Sequence, residues 1–128
     1  MSFNWQDEWE RHAKKESEAQ RKESLSDLLA DVEAGWFGNY YKIWYEIVKK
    51  AKSKAKARQA IPILINAAQK MLAQKEYEED LHIIHCLTAI CKLLRIPEKE
   101  AEKYIYAQDK LQSLQVLKQV FENSFENQ

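Results

Sequence analysis

The residues with the chemistry to act are few and sit close together. His82 and His85 are three positions apart, and Glu79-x-x-His82 has the spacing of a carboxylate–histidine metal pair. Dinuclear sites in helical bundles need two such pairs and further glutamates on facing helices; only one pair exists here. Cys86 follows His85, yet on a helix it points about 100° further round, and consecutive helical residues do not face each other. A cysteine nucleophile needs a base within reach, and this arrangement supplies none. Cys86 and Cys91 are five apart, about 140° around a helix axis, so they do not pair and read as reduced, small core residues. The chain has two glycines in all, no phosphate-cradling glycine loop and no zinc spacing. Catalysis is therefore not expected, nor a metal, nor a cofactor.

Two other groups point to binding. Lys49, Lys50, Lys52, Lys54, Lys56 and Arg58 form a basic run directly after Tyr40, Tyr41, Trp44 and Tyr45. Cations beside aromatics suit nucleic acid, because bases stack on rings while lysines meet phosphates. The same run also reads as a solvated connection, with lysines near a helix C-terminus where the dipole favours them. The second group is aromatic and acidic. Trp36, Phe37, Tyr41 and Tyr45 are the rings expected to stay partly exposed, and Glu76, Glu78, Glu79 and Asp80 make an acidic patch. Protein interfaces favour such aromatic anchors with a polar rim. Against that reading, aromatics also fill gaps between helices, and acids dress a helix start where they oppose its dipole.

These groups must be held by helices. Lys, Glu, Ala, Leu and Gln dominate the 128 residues, while two glycines and two prolines leave few turn formers for a sheet. The length suits one domain that buries about two thirds of its unfolded surface without metal or disulfide. Positions 81–96, LHIIHCLTAICKLLRI, are apolar around most of a helix, with His85, Thr88, Lys92 and Arg95 as a narrow polar strip. A helix of this kind is normally surrounded by others. The expected architecture is all-α: six to seven antiparallel helices around a central buried helix at about 79–96, joined by short connections.

The remaining elements follow from caps and stripes. Positions 1–24 are highly charged and read as a helix or arm with Trp5 and Trp9 on one face; 25–128 form a single helical domain. Ser24 or Ser26 caps a helix through Leu25, Leu28, Leu29 and Val32, and Gly35 stops it. Asn39 is the expected N-cap of a helix over 40–51. The basic run is read as a connection, and the next helix starts near Gln59 with Pro62 in its first turn, where a missing amide donor costs least. Pro97 breaks the central helix. Asp109 is a possible cap for a last helix through Leu111, Leu114, Leu117, Val120 and Phe121, although 97–107 and 109–125 could also be continuous. His82 is expected to face solvent and His85 the edge of the core.

Over 36–96 the chain resembles helical-hairpin repeats of the HEAT type. The likeness lies in GNYYKIWYEIVKKA as a first helix, QAIPILINAAQKML as a second, and HCLTAICKLL as the inner helix of the next pair. The aromatic Gly-x-Tyr-x-x-x-Trp helix and the central His-Cys helix also resemble immunity proteins of bacterial polymorphic toxin systems. That resemblance implies a cytoplasmic inhibitor that occludes a toxin's active site and contributes shape and charge rather than chemistry. A formal net charge of zero argues against a dedicated DNA-binding domain. A protein partner is thus the favoured expectation, a nucleic-acid-binding or regulatory role of the basic run the alternative, and a helical assembly subunit a further one. No stretch is long and apolar enough for a membrane span, and no signal pattern opens the chain.

Overall fold

A computed structural model describes residues 24–37, 41–74 and 81–126. The charged positions 1–23 and the acidic patch at 76–80 lie outside the described residues, as do Asn39 and Tyr40. Among the described residues there are six α-helices and no strand. They are α1 (Leu25–Ala34), α2 (Lys42–Lys50), α3 (Lys54–Ala73), α4 (Leu81–Leu93), α5 (Glu98–Ile105) and α6 (Lys110–Phe121). A π-helical turn, Glu122–Glu126, continues from α6. No described helix is long and apolar enough to cross a membrane.

Local chemistry accounts for most boundaries. Ser24 and Asp27 form a reciprocal capping box on α1, and Gly35 ends that helix at φ 86°, a conformation that costs glycine little. Asp109 accepts from the Gln112 amide and starts α6, so the last two helices are separate. Two starts differ from expectation. The N-cap of α2 is Tyr41, held left-handed at φ 64°. Helix α3 begins at Lys54, with Ser53 accepting from the Lys56 amide, so of the basic run only Lys52 is left in the connection and Pro62 sits in the helix interior. Alanine, lysine and arginine are strong helix formers and carry the helix up to the proline. Pro62 is exposed, so water can satisfy the Arg58 carbonyl that loses its amide partner.

The core is shared between two helices rather than built on one. Helix α4 is buried on most of its circumference, as expected, and packs on α2, α3 and α5. Helix α3 is longer, about 30 Å at 1.5 Å per residue, and touches α1, α2, α4 and α6. Ile61 and Leu64 of α3 meet Ile83, Leu87 and Ile90 of α4 in one fully buried cluster. The Cys86 thiol donates to the Leu64 carbonyl at 3.3 Å. The expected polar strip of α4 is only partly wet: His85 and Thr88 are buried, and Thr88 returns its hydroxyl to the Ile84 carbonyl. A small polar side chain that can bond its own helix backbone loses little by burial.

Candidate anion-binding site

The carboxyl end of α2, the start of α3, the carboxyl end of α4 and the π-helical turn surround a cleft of about 830 Å³. Its lining cations are Lys49, Lys52, Lys54, Lys92 and Arg95, and among the described residues no acidic side chain lines it. Tyr45, Val48, Ala51, Ala57, Leu93 and Phe125 supply apolar wall, and Ser53 and Ser124 supply hydroxyls. Like charges brought to about 4 Å repel by on the order of 1 kcal/mol even in water, so gathering cations in one cleft has a cost. An entering anion removes that cost.

Three of the cations are positioned by something specific. The Lys49 ammonium lies 5.9 Å from the Tyr45 ring centre and that of Lys54 lies 5.7 Å from Phe125, both within cation–π range. Phe125 is itself stacked on Phe121 at 5.2 Å, so the π-helical turn is anchored from beneath. Arg95 follows the last turn of α4 at φ 59°. Its amide donates to the Lys92 carbonyl and the Ile96 amide donates to the Cys91 carbonyl, each at 3.0 Å. This pair of bonds is the Schellman closure, whose left-handed residue is usually glycine. An arginine there carries strain of about 1–2 kcal/mol, and strain of this kind concentrates at functional positions. Among the described residues, Lys49, Lys52 and Arg95 have no acidic partner. The positive end of the 20-residue α3 opens beside them, at Ser53.

Of the six basic residues singled out in the sequence, Lys49, Lys52 and Lys54 therefore reach the cleft. Lys50, at the end of α2, and Lys56 and Arg58, on α3, do not line it. Lys92 and Arg95 complete the set from a helix more than thirty positions further along the chain. In the sequence they read only as the wet edge of an apolar helix. The left-handed backbone at Arg95 had no signal, since helix ends are recognised by glycine.

The aromatic contact candidates divide between different places. Trp36 is 73% exposed at the end of α1. Tyr45 belongs to the cleft. Phe37 and Tyr41 join a ring cluster where α2 and α4 begin. Phe37 packs on Trp44 at 5.2 Å and on His82 at 5.4 Å, while Tyr41 stacks on His85 at 4.5 Å and meets His82 edge-on at 4.8 Å. His82 is half-buried rather than solvent-facing, because its Nδ1 accepts from the Trp44 indole at 3.0 Å. An indole N–H only donates, so that nitrogen carries no proton. Among the described residues no three metal-ligating side chains come together.

Burial holds both thiols in the protonated form. Cys86 is raised far above the usual thiol range by desolvation, and Cys91 is pushed up to about 12 by burial and then by the Glu100 charge. A thiolate at either position is strongly disfavoured. The rings and thiols thus fill and hold the core, while the cleft gathers charge towards solvent. Comparison with family models, with curated proteins and with solved structures gives no match for this chain.

Proposed function

We propose that this chain is a binding protein whose basic cleft receives the phosphates of a single-stranded nucleic acid. One observation carries the reading: five cations drawn from three helices and two connections line one cleft that, among the described residues, no acidic side chain lines. A duplex is read by a stripe or a helix laid into a groove. Here the cations converge into a bowl with a tyrosine on its wall, and aromatic walls beside cations suit unpaired bases. The zero net charge does not oppose this, because counterion release depends on the local cations that meet phosphate. Fluorescence anisotropy of a labelled single-stranded oligonucleotide, titrated with salt, tests the proposal. Binding that weakens with a log–log slope of roughly −0.7 per phosphate contacted, and about tenfold or more weaker in Lys49→Glu/Lys52→Glu, is the expected result. Absence of binding at low salt, or binding indifferent to both salt and the two substitutions, removes it.

A second reading keeps the protein partner, with the chain as an inhibitor of a bacterial toxin built on HEAT-like antiparallel hairpins. The exposed indole of Trp36 supports it, since tryptophan is enriched at interface hot spots. The hairpin idea is supported by α3 and α4, whose opposite ends share the cleft while Leu64 and Cys86 meet near their middles. A complex with a toxin domain that survives high salt and is lost in Trp36→Ala would favour this reading over the first.

A further inference from the structure

We infer that the cleft selects a terminal phosphate monoester, on a strand end or a free nucleotide, over an internal phosphodiester. This rests on the nucleic-acid reading and narrows it. Three observations lead there. The first is shape: a concave space of about 830 Å³ falls in the range of small-ligand pockets rather than of a through-running groove. Lys50, Lys56 and Arg58, which would extend a track for a continuing backbone, do not line it.

The second is charge. A phosphodiester brings one negative charge, whereas a monoester brings about 1.5–2 at neutral pH and three acceptor oxygens. Lys49, Lys52 and Arg95 have no acidic partner among the described residues, and the first turn of α3 opens beside them. Helix starts accommodate anions through their outward amides. A set this rich in positive charge is better matched by the dianion.

The third is Arg95. A guanidinium binds phosphate through two parallel N–H bonds, a fixed fork that lysine lacks. This one springs from a left-handed residue at φ 59°, clamped by the two backbone bonds that close α4. The fold keeps an arginine where glycine is conformationally cheaper. A ligand contact that needs the fork at this point explains the choice.

The test compares one short oligonucleotide carrying either a 5′-phosphate or a 5′-hydroxyl, labelled at the other end, by anisotropy at fixed salt. The phosphorylated strand should bind about tenfold tighter. Arg95→Gly should reduce that preference to about twofold or less while the melting temperature holds or rises. Arg95→Asn, which also tolerates the left-handed backbone, serves as the second variant if the glycine form does not fold. Equal, salt-sensitive binding of both strands overturns the end-selection and leaves the nucleic-acid reading standing. Binding of neither strand removes both. A preference that survives the loss of Arg95 also overturns the inference. Competition by a nucleoside monophosphate identifies the source: displacement at concentrations near those of the strand supports a free nucleotide, and weak displacement supports a strand end.

Discussion

Glu46 offers the sharpest test of the packing argument. It sits on α2 between Tyr45 and Ile47, is 0% exposed, and neither carboxylate oxygen has a hydrogen-bond partner among the described residues. Burying a polar group without a partner costs about 1–3 kcal/mol by mutational measures, and more for a group that keeps its charge. Methionine has nearly the same length and packs the same volume without the desolvated oxygens. Glu46→Met should therefore stabilise the fold by about 1–3 kcal/mol, since it removes buried polar atoms that have no partner among the described residues. Unfolding entropy of about 2.1 cal/mol/K per residue makes each kcal/mol worth about 4 °C in a chain of this length, so Tm should rise by roughly 4–12 °C. Glu46→Gln keeps two buried polar atoms at the same position and should give a smaller gain. Because Glu46 does not line the cleft, oligonucleotide binding by Glu46→Met should match the parent. Urea and thermal unfolding provide the measurement. A loss of more than about 1 kcal/mol in Glu46→Met would show that the carboxylate is strongly compensated, and the reasoning would fail.

Two further outcomes follow from the same structure. Trp44→Phe removes the indole donor to His82 and leaves a void at a fully buried position; a loss of about 2–3 kcal/mol is expected in urea unfolding, and a change under about 0.5 kcal/mol would count against the bond. Neither thiol should react with a thiol-specific reagent at pH 8 in the folded state, since both are buried and Cys91 is raised to about 12, while both should react at once in denaturant; rapid modification of the native protein would contradict the burial.

A cleft of this kind shows why a neutral chain can still have a strongly basic face. Twenty acids and twenty bases cancel in the sum, but a ligand senses charges within about a Debye length, about 10 Å at 0.1 M salt. Among the described residues, the charged side chains that line the cleft are all cations. Net charge bounds what the whole molecule does in solution, and local charge decides what one surface holds.

Much of the fold was legible from residue order alone. Helical class followed from composition, and three boundaries followed from side chains that cap or stop a helix through neighbours a few positions away, at Ser24, Gly35 and Asp109. Burial of most of α4 followed from an apolar circumference that water does not tolerate, although Leu81 at its start stays exposed. What residue order did not reveal has one physical origin, which is that it depends on distant partners. His82 became half-buried because Trp44, thirty-eight positions earlier, offered it a donor. Pro62 stayed inside a helix because that face met solvent. Lys92 and Arg95 joined Lys49, Lys52 and Lys54 only because α2, α3 and α4 end or begin beside one another. Local propensity acts over a few residues and is written in the chain; a charged cleft is made between segments and exists only once they have packed.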